Sequence, residues 1–130
     1  MSGPHRFTVR VYYEDTDFSG LVYHSAYLHY FERARTEFLR SIGVHHSELI
    51  REGIAFAVRS MQIEFEAAAH IDDLLEVETR VEEVTPARLR LDQRILRDGN
   101  AITRAGVLVV AIKASGRPAR MPNAVLGALG

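Results

Sequence analysis

Residues 25–43, SAYLHYFERARTEFLRSIG, decide the fold because they carry a long helical pattern between segments that read as strands. Apolar side chains recur here every three or four residues, which places them on one face of a helix. They are Tyr27, Tyr30, Phe31, Ala34, Phe38 and Ile42. Gly43 stands where a glycine commonly ends a helix. The spacing therefore predicts one long helix with a single buried side.

Alternation of apolar and polar residues predicts strands on both sides of this helix. It runs through residues 6–13 before the helix and through 74–85 and 87–97 after it. A period of two is typical of a strand with one buried face. Asp98-Gly99-Asn100 is a hairpin signal that leads into residues 101–114, the last predicted strand.

The segment 54–66, IAFAVRSMQIEFE, changes the phase of its alternation midway. Its apolar residues occupy even positions up to Val58 and odd positions from Met61 onward. A regular strand would expose one of these sets, so the pattern predicts a bulge or bend near Arg59–Ser60. After Gly106 the last strand is apolar on both faces, which predicts a second cover such as a subunit contact.

The order of one strand, one long helix and four strands predicts an α+β domain, with an antiparallel sheet wrapped on the helix. Two short helices are also predicted, at residues 45–52 and 124–129. A chain of 130 residues buries roughly two-thirds of its unfolded surface, which suits a single core. We therefore expect a single domain over residues 1–130.

Composition excludes several classes of function. The chain has no cysteine, which removes disulfides, thiolate metal sites and thiol nucleophiles. Its 17 acidic and 16 basic residues give a net charge of −1, without the basic excess expected of a nucleic-acid-binding surface. No apolar run reaches the ~18 residues that span a bilayer, and the start lacks a signal-peptide core. These features predict a cytoplasmic protein that binds no nucleic acid and does not span a membrane.

The segment between the first strand and the long helix is where chemistry is expected. All five tyrosines lie within residues 12–30, beside an acidic cluster that includes Asp15 and Asp17. The pattern DTDFSG at 15–20 is similar to the start of a calcium loop, but that loop requires a glutamate where this chain has Ala26. The histidines lack metal-ligand spacing, and the serines lack a triad motif. Spacing alone leaves two interpretations, a turn-forming cluster or a functional carboxylate.

The stretch from residue 9 to 40, VRVYYEDTDFSGLVYHSAYLHYFERARTEFLR, closely resembles the YbgC-like acyl-CoA thioesterases. These form the Tol–Pal-associated branch of the 4-hydroxybenzoyl-CoA thioesterase superfamily. Residues 54–81 resemble the next two strands of the family. The resemblance implies the hotdog fold, a five-stranded antiparallel sheet around one long central helix. It also implies homodimers, often assembled into tetramers, with active sites at the dimer interface.

The activity implied by the resemblance is hydrolysis of an acyl-CoA, with a short aliphatic or aromatic acyl group, to the free acid and CoA. An acyl-carrier-protein thioester is the other implied substrate. Asp17 is implied to attack the thioester, either directly or through a water that it deprotonates. The backbone N–H of His24, at the helix N-terminus, is implied to stabilise the oxyanion. Tyr13, on the inward face of the first predicted strand, is expected to position the carboxylate or the water.

Further residues are expected to contact the substrate, by making a tight loop, bordering the oxyanion site or meeting the CoA phosphates. They are Gly20, Val22, Tyr23, Arg59, Ser60 and Arg88. Lys113, Arg117 and Arg120 are alternative phosphate contacts. No metal is expected, and no cofactor beyond the coenzyme A of the substrate. The family often has a proline where this chain reads Ala67-Ala68-Ala69, a departure expected to affect loop stiffness more than chemistry.

Two other functions remain open for this sequence. One is hydration or dehydration of an acyl thioester by the same fold, although the sequence contains no motif for that chemistry. The other is a binding protein that keeps the pocket and serves an envelope or lipid-synthesis complex. Release of thiol from an acyl-CoA separates hydrolysis from both.

Overall fold

The computed structural model describes residues 3–129. Its strands are β1 (His5–Arg10), β2 (Ile54–Phe65), β3 (Leu74–Val84), β4 (Leu89–Arg97), β5 (Asn100–Lys113) and β6 (Pro118–Ala119). Its helices are α1 (His24–Ser41), α2 (His46–Arg51) and α3 (Asn123–Leu129), with a 3₁₀ turn at Tyr13–Asp15. The predicted domain also included Met1, Ser2 and Gly130, which lie outside the described residues.

The strands form one antiparallel sheet in the order β1-β3-β4-β5-β2, with β6 paired to β5. The helix α1 packs on the inner face of this sheet, where its buried side chains and those of the strands make one apolar core. The predicted α+β class and the five main strands are confirmed. The two-residue strand β6 was not predicted, because two residues are too few to show an alternation.

The helix α1 has the buried side and the ending that its sequence predicts. The predicted apolar face is buried except for Ile42, which is half-buried and follows the last helical residue. Gly43 adopts a φ of +85° and donates its N–H to Arg40 O, while Val44 N–H reaches Leu39 O. This pair of hydrogen bonds is a Schellman motif, which satisfies the last carbonyls of the helix.

The strand β2 contains the predicted bulge. Its pairing with β5 shifts register between Val58 and Ser60, which leaves Arg59 as the extra residue. Val58 pairs with Val109 before the shift, and Met61 pairs with Val107 after it. Both β5 partners are buried on the inner face, so even positions before Arg59 and odd positions after it face the helix. The change of phase in the sequence is thus accommodated by one inserted residue.

The first strand ends earlier than predicted, and the inward placement of Tyr13 is wrong. Apolar alternation is kept as far as Val11, which is buried and exchanges backbone hydrogen bonds with the 72–73 segment. The Asp15 carboxylate then accepts the Tyr12 N–H at 2.9 Å, and this bond favours a 3₁₀ turn over extended chain. Tyr13 lies in that turn with its side chain 76 % exposed.

The outer face of β5 keeps the apolar character noted in the sequence. Leu108, Val110 and Ile112 are half-buried on this face, whereas the alternate residues are buried beneath the sheet. The subunit contact expected there stays a prediction. Within residues 3–129, no helix is both long enough and apolar enough to cross a membrane.

Candidate active site

Asp17 lies in the loop between the 3₁₀ turn and α1, with its carboxylate held by hydrogen bonds from the same loop. Its Oδ1 accepts the Ser19 backbone N–H at 2.8 Å, the Ser19 hydroxyl, and the Leu21 N–H at 3.4 Å. The Ser19 hydroxyl, followed by the Ser19 N–H, holds the pKa of Asp17 below its ordinary value of 3.8. The carboxylate is exposed and ionised at neutral pH.

The Asp17 loop is fastened to the segment between β2 and β3. The Ile71 N–H donates to Gly20 O at 2.9 Å, and the Val22 N–H donates to Ala69 O at 3.0 Å. Gly20 has a φ of +84°, a conformation that other residues rarely adopt. This tight turn brings the loop back towards the start of α1.

The first turn of α1 offers two unused backbone donors. The Val22 N–H is bound to Ala69 O, and the Tyr23 N–H reaches Asp15 O at 3.3 Å. For the part of the chain that the structure describes, the N–H groups of His24 and Ser25 make no hydrogen bond. Unpaired N–H groups at a helix N-terminus attract negative charge. The N–H of His24, the expected oxyanion donor, is therefore free to bind an anion, and so is that of Ser25.

An open cleft of about 450 Å³ connects the loop with the helix start. Its wall includes Asp17, Val22, Tyr23, His24, Tyr27 and Phe65. The Phe65 ring lies 4.8 Å from the His24 ring and 5.3 Å from the Tyr27 ring, measured between centroids. The cleft therefore combines an ionised carboxylate, free helical N–H groups and an aromatic wall, which suits attack on a polar carbonyl carried by an apolar group.

Only some of the predicted site residues lie together in one chain. Asp17, Val22, Tyr23 and His24 line the cleft, and Gly20 shapes its loop. The other four do not line it, and they are Tyr13, Arg59, Ser60 and Arg88. The Nε of Arg88 lies 3.1 Å from Oε1 of Glu83, in an ion pair beside the β3–β4 turn. The roles given to these residues stay predictions.

The cleft is also lined by six residues that were not predicted as site residues, among them Tyr27, Phe65 and Glu66. Tyr27 and Phe65 fit the apolar patterns of α1 and β2, so the sequence indicates core packing and nothing more. Glu66 follows the last residue of β2, and its Oε1 lies 2.6 Å from Arg104 Nε. No local pattern shows that the end of β2 lies beside the start of α1, because that contact depends on the whole sheet.

The segment that lacks the expected proline is braced by Arg97. Its Nη1 donates to Ala68 O at 2.8 Å and lies 2.9 Å from Oδ2 of Asp73. Burial alone would raise the pKa of Asp73, but the His70 N–H and Arg97 hold it below its ordinary value of 3.8. Contacts from the Arg97 side chain of β4 therefore hold residues 67–69 in place, where other family members often have a rigid proline.

Metal chemistry has no ready-made ligand set in this cleft. Over residues 3–129, no three His, Cys, Asp or Glu side chains are grouped closely enough to hold a metal ion. Two carboxylates, those of Asp17 and Glu66, line the cleft beside the helix N-terminus.

Fold and cleft together define a class of protein. The model of the thioesterase-like superfamily matches residues 11–129, and the chain belongs to that superfamily. The crystal structure of a probable thioesterase from Bartonella henselae is 42% identical, with a TM-score of 0.87, covering 92% of this chain and 100% of that one. The predicted hotdog fold is thereby confirmed.

Similarity within the superfamily falls on the branch expected from the sequence. Acyl-CoA thioesterase YbgC of Haemophilus influenzae is 48% identical over 107 residues, which are 82% of this chain and 79% of the relative. Acyl-CoA thioester hydrolase YbgC of Escherichia coli is 41% identical over 123 residues, 93% and 92% of the two chains. The predicted resemblance to YbgC-like thioesterases is confirmed, and so is the enzyme class, a thioester hydrolase.

Proposed function

We propose that this chain hydrolyses acyl-CoA thioesters to the free acid and CoA at the Asp17 cleft, with short aliphatic or aromatic acyl groups. The observation that carries the proposal is that one cleft is lined both by the ionised Asp17 and by His24, whose backbone N–H is free, as is that of the next residue, Ser25. The names of the H. influenzae and E. coli relatives support acyl-CoA as the substrate.

The lowered pKa keeps Asp17 ionised at neutral pH, as both direct attack on the thioester and deprotonation of a water require. Direct attack is the route that we propose. In the proposed reaction a carboxylate oxygen bonds to the acyl carbon, while the N–H groups of His24 and Ser25 stabilise the oxyanion. The C–S bond then breaks, which is feasible because a thiol has a pKa of about 8.5. CoA leaves as the thiolate, and water then hydrolyses the mixed anhydride, which releases the free acid and restores the Asp17 carboxylate.

Ser19→Ala is expected to move the acid side of the pH profile. Activity requires ionised Asp17, so the acid limb of the kcat/KM profile of the wild type should lie at a lower pH than an ordinary aspartate pKa of 3.8 would give. Removal of the Ser19 hydroxyl takes away the largest cause of the lowered pKa, so the fall should begin at a higher pH. Both proteins are assayed from neutral pH downward, with circular dichroism at each pH as the control for folding. An unmoved acid limb in folded Ser19→Ala would contradict the role of Asp17.

Purified protein assayed against a series of acyl-CoAs tests the function itself. Thiol release is followed with a chromogenic thiol reagent, and the absorbance of an enoyl-CoA is followed in parallel. Acyl chains of increasing length, an aromatic acyl group and an acyl-carrier-protein thioester are compared at equal concentration. Hydration of the enoyl group without thiol release would favour a hydratase. Binding of acyl-CoA without either reaction would favour a binding protein.

The edge strand β2 supports a homodimer as the working form. It pairs with β5 on one side and, among the strands of residues 3–129, with none on the other. A long open edge is a template for pairing with another chain, and a two-fold contact uses the same surface twice. We propose that Arg59 and Ser60, which lie on this edge, contact substrate across the interface, and that the outer face of β5 supports a tetramer.

Ala57→Lys is expected to weaken this dimer, because a charged lysine in mid-edge discourages strand pairing. Wild-type protein should sediment as two or four chains, and Ala57→Lys should shift towards a single chain and lose activity with it. Analytical ultracentrifugation at the assay concentration measures the shift. A fully active wild type that sediments as a single chain would refute the interface.

We also propose that the reaction needs no cofactor and takes place in the cytoplasm. The proposed chemistry uses a carboxylate, backbone N–H groups and water, and none of these steps calls for a redox group or a metal. Thiol release should therefore be unchanged after dialysis against EDTA. Cell fractionation with an activity assay tests the location.

A further inference from the structure

Tyr27 connects the helix α1 to the loop that carries Asp17, although it reads as a core residue. Its side chain is 2 % exposed and its ring packs against Phe65 at the wall of the cleft. The phenolic oxygen accepts the backbone N–H of Ala69 at 2.9 Å, in a buried hydrogen bond. A tyrosine used only for apolar packing would leave this polar contact unmade.

The hydrogen bond from Ala69 continues to the Asp17 loop. The carbonyl of Ala69 accepts the Val22 N–H at 3.0 Å, so Ala69 is held on one side by α1 and on the other by the loop. Leu21, next to Val22, exchanges backbone and side-chain hydrogen bonds with Asp17: its carbonyl accepts the Asp17 N–H at 2.9 Å, and its N–H reaches Oδ1. A short series of hydrogen bonds thus leads from the Tyr27 hydroxyl to the carboxylate.

The first turn of α1, to which Tyr27 belongs, also contains the proposed oxyanion donors. Tyr27 follows His24 and Ser25 by three and two residues, so it moves with their N–H groups as one rigid turn. A shift of the 69–71 segment relative to Tyr27 therefore changes the separation between the Asp17 carboxylate and these donors. We propose that Tyr27 is a positioning residue, whose hydroxyl fixes that separation through Ala69. The inference rests on the proposed thioesterase reaction at Asp17.

The size of the effect follows from the geometry of attack. Reacting atoms must approach to about 3–3.5 Å, and a misplacement of 1 Å costs about 100-fold in rate. Loss of the hydroxyl also leaves the buried Ala69 N–H without its acceptor, so the segment is driven to move towards water or another acceptor. The interaction acts on alignment in the transition state, which predicts a change in kcat more than in KM.

Tyr27→Phe tests the proposal because it keeps the ring and removes only the hydroxyl. We expect kcat for acyl-CoA hydrolysis to fall ~10- to 100-fold, with KM within about twofold of the wild type. The matched control is Thr79→Val, which removes another buried hydroxyl acceptor, that of the Gln93 side chain, away from the cleft. Thr79→Val should keep wild-type kcat. Amide hydrogen exchange at Ala69 should accelerate in Tyr27→Phe only.

The outcomes separate the positioning role from the reaction itself. Kinetics are measured with and without trimethylamine N-oxide, which favours the folded state, so that kcat refers to folded protein. Wild-type kcat in folded Tyr27→Phe, or an equal fall in both variants, would overturn the role of Tyr27 and leave the thioesterase proposal standing. A wild type that releases no thiol from any acyl-CoA would instead overturn the proposed function.

Discussion

Asp17→Asn is expected to lower kcat for acyl-CoA hydrolysis by at least ~10²-fold, within the range for removing a positioned catalytic group. Asparagine keeps an oxygen that can accept the Ser19 and Leu21 N–H groups, so the loop conformation should persist. The negative charge and the nucleophilic oxygen are lost. Thiol release under saturating substrate measures kcat, and circular dichroism checks the fold.

Asp98→Asn is the control for this substitution. Asp98 is an exposed carboxylate in the β4–β5 hairpin with a φ of 51°, a conformation that asparagine accepts readily. The Asp98→Asn variant should retain the kcat of the wild type. Turnover near the wild-type level in folded Asp17→Asn would show that another group attacks the thioester, and Glu66, the other carboxylate of the cleft, would be tested next.

Phe31→Ala should cost about 3–5 kcal/mol of the free energy of unfolding, the usual range for removing a buried phenylalanine ring. Phe31 is 0 % exposed and lies at the centre of α1, between the helix and the sheet. Its carbonyl also accepts the Gln93 amide at 3.2 Å, so collapse of the helix into the space is restrained. Urea unfolding followed by circular dichroism gives the difference.

Phe18→Ala is the matched control for this loss, because Phe18 is 102 % exposed in the Asp17 loop. Its free energy of unfolding should stay within about 0.5 kcal/mol of the wild type. Equal losses in the two variants would mean that burial of the Phe31 ring makes no special contribution to the free energy of unfolding.

The elements that the sequence predicts well are those in which burial repeats along the chain. The face of α1 and the bulge at Arg59 are both visible as a period and a change of phase, because side-chain direction follows directly from residue number. The type of ending at Gly43 was predictable for a similar reason, since few residues accept a positive φ. Asp17 and His24 were predicted as site residues from the resemblance to a family motif. Their spacing alone is equally compatible with an ordinary turn.

The features that the sequence did not predict depend on contacts between distant segments. Tyr13 continues the alternation of β1, yet a side chain two residues later folds the chain into a turn. Phe65 reads as an ordinary strand residue, and its place beside His24 results from how β2 lies across α1. The bond between Tyr27 and Ala69 joins residues 42 positions apart. Periodicity reports direction from the backbone and contains no information about such partners.

The bulge at Arg59 determines where the strand β2 can lose a residue during evolution. Deletion of one residue elsewhere between Ile54 and Phe65 would turn every side chain on one side of the deletion to the opposite face. Deletion of Arg59 itself would instead remove the bulge and leave the side chains of both halves on their present faces, since each half is already in phase with β5. Relatives that keep this strand should therefore vary in length at the bulge, if anywhere in the strand, and conserve the number of residues on either side of it.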